Sequence, residues 1–283
     1  MSSEDGFGLL VSTDWLAAHL GAPDLMVLDA SWHMPAAARE GRREFLAGHI
    51  PGAAFFDLDA VSDQTSPLPH MLPSPEGFAS AMSALGVGDD KRVVVYDAAG
   101  LFSAPRLWWM LRVFGHDKVA ILDGGLPKWI AEGRPLEKGE AHPRASQFTP
   151  LFNAQAVADL AQVRDALDSK SAQVLDARSA DRFFGRAPEP RPGLASGHMP
   201  GALSLPMTDL VENGRLKEPP ALEAALAKAG VSTDAPVITT CGSGVSAAII
   251  TLALARLGRP VGRLYDGSWT EWGGRADLPV ATN

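Results

Sequence analysis

Gly48-His49-Ile50-Pro51-Gly52-Ala53 recurs, 149 residues on, as Gly197-His198-Met199-Pro200-Gly201-Ala202. Leu28-Asp29-Ala30 recurs as Leu175-Asp176-Ala177, and Asp123-Gly124-Gly125 with Trp129 recurs as Asp266-Gly267-Ser268 with Trp272. Three landmarks in one order at a nearly constant shift define two copies of a single fold. Before the last landmark, each copy carries a short apolar run, Val93-Val94-Val95-Tyr96-Asp97 in the first and Val237-Ile238-Thr239-Thr240-Cys241 in the second. The copies part at its end, where Asp97 stands in one and Cys241, the chain's single cysteine, in the other.

Around these landmarks, β-branched runs alternate with longer helical patterns, the signature of βαβ units. The fold class is α/β, with two similar domains, each a mainly parallel β-sheet flanked by helices. Strands are expected at 26–29, 92–96 and 120–123, with counterparts at 173–176, 237–240 and 263–266. Helices are expected at 13–20, 76–85, 104–114, 156–168, 220–228 and 245–257. Ser74-Pro75-Glu76 supports one helix start, since serine caps free amides and proline suits the first turn. The Gly- and Pro-rich stretch 132–155 reads as a connection. The domains are placed at 1–140 and 156–283, joined by a linker at 141–155. Proline-rich 183–200 reads as an ordered surface loop.

With 283 residues, 46% of them hydrophobic, the chain has the length and apolar content of two ordinary domains. A net charge of −8 argues against nucleic acid or an anionic membrane as the main partner, because both attract a basic footprint. The apolar run 245–255 is too short to span a bilayer. One cysteine forms no internal disulfide, and the acidic start Met1-Ser2-Ser3-Glu4-Asp5 lacks the positive, then apolar, pattern of a secretory leader. A cytoplasmic protein is expected. The histidines show no ligand spacing such as His-x-x-x-His, so no metal or other cofactor is indicated.

Cys241-Gly242-Ser243-Gly244-Val245-Ser246-Ala247 leaves the strand and enters a helix, the junction where open α/β sheets bind ligands. The glycines allow the loop to curl with its amides inward, and the helix adds the positive end of its dipole. A thiol there is stabilised as thiolate, the nucleophilic form; the opposing reading is a buried structural cysteine. A phosphatase loop, Cys-x5-Arg, fails because Ala247 stands where its arginine belongs. The Gly-x-Gly-x-x-Ala fit to a dinucleotide-binding turn, with Asp266 as the ribose acid, fails because only about 40 residues remain to complete the sheet.

The paired Gly-His-x-Pro-Gly-Ala segments, the Cys-Gly-Ser-Gly-Val loop and Asp266-Gly267-Ser268-Trp269 resemble the tandem-domain sulfurtransferases of the rhodanese superfamily, over nearly the whole chain. The resemblance implies two tandem rhodanese-like domains, the second carrying the nucleophile. Members using thiosulfate, a dianion, favour a cationic loop; the neutral loop here is similar to that of members using 3-mercaptopyruvate. It further implies that Arg182 and Arg191 bind the substrate's carboxylate and carbonyl, for which a planar guanidinium is suited. Arg178 and Arg186 are neighbours that the residues alone do not exclude.

By the same resemblance, His70 and Asp59 form a triad-like relay with Ser243, and Gly242, Gly244 and Val245 line the substrate loop. Spacing alone does not choose among Asp57, Asp59 and Asp63. The implied reaction passes sulfur from 3-mercaptopyruvate through a Cys241 persulfide to an acceptor thiol, such as thioredoxin or a small thiol, or to cyanide, with Cys241 in a cleft between two domains. The alternatives are a thiosulfate:cyanide sulfurtransferase and a persulfide carrier or redox-sensing protein without rapid turnover. Two departures from the family pattern are mild: Ser246 replaces a threonine, and Phe102 stands where tyrosine is common. Additional cysteines used by some relatives for redox-switched dimerisation are absent. His49, His198, Asp29 and Asp176 occur in both copies and read as structural, and Trp108, Trp109, Trp129, Trp269 and Trp272 read as packing residues.

Overall fold

The computed structural model describes residues 5–283. The chain forms two compact units. One runs to Gln64 and takes in Pro73–Asn153 and Asn213–Leu216; the other comprises Thr65–Leu72, Ala154–Glu212 and Lys217–Asn283. Each half of the sequence thus contributes a short arm to the unit built mainly by the other.

In the first unit, β1 (Leu10–Val11), β2 (Leu25–Asp29), β3 (Ala54–Phe55), β4 (Arg92–Tyr96) and β5 (Val119–Leu122) form a five-stranded sheet in the order β1-β5-β4-β2-β3. All its pairings are parallel, with β4 central and in register with β2 from Leu25↔Arg92 to Asp29↔Tyr96. Helices α1 (Thr13–His19), α2 (Gly41–Ala47), α3 (Leu58–Val61), α4 (Pro75–Ala84), α5 (Ala104–Val113) and α6 (Gly125–Ala131) complete the unit. Alternation along β4 divides the core: Val94 and Tyr96 face a cluster holding Leu16 of α1, Phe45 of α2 and Trp129 of α6. As foreseen, Ser74 caps α4, accepting from Gly77 N at 3.1 Å.

The second unit repeats this plan with β6 (Val157–Ala158), β7 (Gln173–Asp176), β8 (Leu203–Ser204), β11 (Val237–Thr240) and β12 (Arg263–Tyr265), ordered β6-β12-β11-β7-β8, again all parallel. Two short strands, β9 (Val211–Glu212) and β10 (Arg215–Leu216), lie outside both sheets. Its helices are α7 (Leu160–Ser169), α8 (Ala180–Phe183), α9 (Met207–Leu210), α10 (Pro219–Lys228), α11 (Ala247–Arg256) and α12 (Ser268–Trp272). Val163 of α7 and Trp269 and Trp272 of α12 pack on the face carrying Val174, Ile238 and Tyr265.

One expected helix, 156–168, begins late. Val157–Ala158 is instead the edge strand β6, and the helix starts at Leu160 because Asp159 and Gln162 form a reciprocal capping box at 2.8 and 3.1 Å. The repeated histidines are structural. His49 stacks on Phe45 at 3.8 Å and hydrogen-bonds Phe45 O, and His198 does the same with Phe183 at 3.9 Å. The five tryptophans named above are all buried. Among the described residues no helix is long and apolar enough to cross a membrane.

Candidate active site

Cys241 directly follows β11, the central strand of its sheet, and is buried. The landmark turn leading into α12 ties down the outward side of its loop. Trp269 N donates to Cys241 O and Thr270 N to Gly242 O, both at 2.9 Å, and Thr270 Oγ1 donates to Gly242 O at 2.6 Å. Cys241 N donates to Ser268 Oγ at 3.4 Å, and that hydroxyl donates to Tyr265 O. With its carbonyls so held, and with Gly244 at φ +77° supplying the bend, the loop turns its other side to the start of α11. Among the described residues, the amides of Gly242, Ser243, Val245 and Ser246 donate to no protein oxygen. Donors of this kind beside a sulfur, at the positive end of a ten-residue helix, favour negative charge.

The first unit shows the same loop with its anion built in. Asp97, buried after β4, accepts from the amides of Phe102, Ser103 and Ala104 at 2.7, 2.9 and 2.8 Å through one carboxylate oxygen, and from Ala99 N through the other. A side chain that saturates its own loop leaves no nucleophile there.

Two guanidinium groups reach the Cys241 loop. A methyl group at Gly242 would lie 3.1 Å from an Arg182 nitrogen and 3.9 Å from one of Arg191. Arg191 also donates to Ser243 Oγ at 3.4 Å. Arg182 is oriented by Glu189, whose carboxylate takes its Nε at 3.2 Å and a terminal nitrogen at 2.5 Å. The other neighbouring arginines are committed elsewhere. Arg178 is buried over the Trp269 ring at 4.1 Å, bound to Asp176, Glu189 and Gly197 O. Arg186 pairs at the surface with Asp181.

Ser243 Oγ lies 2.8 Å from His70 Nδ1. His70 belongs to the arm Thr65–Leu72, so it packs within the same compact unit as Cys241 although it lies in the first half of the sequence. Because arginine only donates, the serine oxygen accepts from Arg191 and has its own proton to offer His70. Asp59 lies in the other unit, where its carboxylate accepts from the Trp32 indole at 3.1 Å. Asp57 caps α3 through Ala60 N.

The structure thus brings Cys241, Gly242, Ser243, Gly244, Val245, His70, Arg182 and Arg191 into one unit. The motif reading passed over Glu189, Ser268 and Thr270. Glu189 carries a faint signal, a carboxylate with arginines close by in sequence, but that is also the look of a solvated charge pair.

Residues 12–132 and 159–275 each match the rhodanese-like domain family. The chain is 52% identical to a 3-mercaptopyruvate sulfurtransferase of Escherichia coli, covering 95% of this chain and 96% of the relative, and 44% identical to one of Homo sapiens, covering 94% and 92%. The crystal structure of a 3-mercaptopyruvate sulfotransferase from Escherichia coli superposes with a TM-score of 0.86 at 49% identity, covering 92% of this chain and 98% of that one. A nucleophile-bearing copy beside a copy whose loop is closed by its own aspartate, with this likeness along nearly the entire length, makes the chain a member of the tandem-domain rhodanese sulfurtransferases.

Proposed function

We propose that the protein transfers sulfur from 3-mercaptopyruvate through a Cys241 persulfide to an acceptor thiol. The observation that carries the donor assignment is the pair of guanidinium groups, Arg182 and Arg191, converging on a loop that itself has no cationic side chain. A keto acid has its charge on a carboxylate remote from the sulfur, so cations set back from the nucleophile match it. Thiosulfate carries its charge on the sulfonate next to the sulfur under attack.

In the first step the Cys241 thiolate attacks the donor sulfur. The carbon–sulfur bond breaks, its electron pair passes to carbon, and pyruvate leaves as the enolate to be protonated. Arg182 and Arg191 hold the carboxylate and carbonyl, and the loop amides stabilise the charge that develops on sulfur. Ser243 and His70 polarise the carbonyl or deliver the proton, with Asp59 assigned to orient the histidine on the sequence resemblance. In the second step the acceptor thiolate takes the outer sulfur and frees Cys241. A small thiol or a thioredoxin-like protein serves as acceptor, and cyanide does so in an assay. No cofactor enters these steps, and we assign the action to the cytoplasm.

Comparison of kcat/KM for the two donors tests the reading, with 3-mercaptopyruvate expected to exceed thiosulfate at least about 100-fold. A preference for thiosulfate would overturn the donor assignment. Mass analysis after donor addition is expected to find one added sulfur on Cys241; an unmodified cysteine during rapid turnover would exclude the covalent route.

A further inference from the structure

The structure leaves His70 in an unusual state. Its φ is +63°, in the left-handed region that a side-chain-bearing residue enters only with strain, and it is buried against Ser243. Something must hold it there. Two residues further on, Leu72 N donates to Asp266 Oδ2 at 2.7 Å, and Asp266 is itself buried. A carboxylate–amide bond in such surroundings is among the stronger hydrogen bonds a backbone makes.

The repeat supplies an internal comparison. Asp123, the counterpart of Asp266, also grips an arm contributed by the other half of the sequence, at Arg215 of Asn213–Leu216. That grip joins two side chains, with the arginine half-exposed. The grip of Asp266 is on the backbone, and only that arm carries a histidine.

We infer that Asp266 is a positioning residue for sulfur transfer: by pinning the Leu72 amide it keeps His70 in the left-handed conformation that sets Nδ1 on Ser243. The inference rests on the role of His70 proposed above. It is tested with a cycle of Asp266→Ala, His70→Ala and the double variant, assayed with 3-mercaptopyruvate alongside thermal unfolding. Asp266→Ala is expected to lower kcat about 30-fold with KM changed less than about threefold, whereas in the His70→Ala background it lowers kcat less than about twofold. Asp266→Asn, which retains an acceptor oxygen, is expected to restore most of the rate, and Asp123→Ala to leave it within about twofold. Should Asp266→Ala fail to fold, Asp266→Glu, which shifts the oxygen by one methylene, takes its place in the cycle. Equal losses with and without His70, or an equal loss from Asp123→Ala, would overturn the inference while leaving the role of His70 intact. A His70→Ala variant with undiminished turnover would remove both.

Discussion

Asp29 and Asp176 hold the same place in the two copies, but the residue two positions on gives them different chemistry. Asp176 is neutralised by buried Arg178, whereas Asp29 has no cation beside it and is held by the amide and hydroxyl of Ser31, at 2.9 and 2.5 Å, and by the Tyr96 hydroxyl. Burial pushes the Asp29 carboxyl up to about 6 from an ordinary 3.8, against the pull of the Ser31 hydrogen bonds. A raised carboxyl stabilises the fold when protonated, so its contribution is complete below about pH 4 and is lost as pH rises through 6. The loss amounts to about 3 kcal/mol. Urea unfolding from pH 4.5 to 7.5 is expected to show this decline, and Asp29→Asn to flatten it.

Glu189 illustrates what a motif does not disclose. The resemblance pointed to Arg182 and Arg191, but the carboxylate that orients Arg182 shows in sequence only as a charge in a proline-rich loop. Folding buries it between Arg178 and Arg182, where it serves both. Glu189→Gln is expected to raise KM for 3-mercaptopyruvate about tenfold with a smaller change in kcat. It is also expected to cost about 3 kcal/mol of stability, because it leaves buried Arg178 with one carboxylate partner in place of two. Steady-state kinetics and a urea titration check the two parts.

The central strand and its loop were legible because they are local. Val237–Thr240 and Arg92–Tyr96 fall where β-branched runs placed them, and the Gly-Ser-Gly loop follows from its glycines. The two-residue edge strands β1, β3, β6 and β8 were not legible, since two residues carry no periodicity and pair only when a neighbouring strand is present. For the loop, Gly242→Ala brings a methyl group to 3.1 Å from Arg182 and is expected to lower kcat/KM about tenfold with the fold retained. Circular dichroism and kinetics on one preparation check this. In the other copy, Asp97→Ala strips the acceptor from four loop amides and is expected to destabilise the protein by several kcal/mol, read from its urea midpoint.

Over the whole molecule, the two copies have diverged around one topology. The arm held in the first unit brings Gly214 against Gly100 of the Asp97 loop, so close that a methyl group on Gly100 would fall 2.7 Å from Gly214 Cα. The arm held in the second brings His70 to Ser243. Moving the thiol alone is therefore expected to fail: Cys241→Ala abolishes transfer, and adding Asp97→Cys does not restore it, as pyruvate release from 3-mercaptopyruvate would show. Restored turnover would mean that the loop and a thiol suffice without a histidine arm.

The repeat, the parallel α/β architecture and the choice of Cys241 over Asp97 are written in residue order, because strand pattern, glycine bends and thiol chemistry act over a few neighbouring positions. The exchange of arms, the burial of Glu189 between two arginines and the hold of Asp266 on Leu72 join residues far apart in the chain. No local preference encodes such meetings. They arise only when packing brings distant segments together and buried polar groups must find partners there.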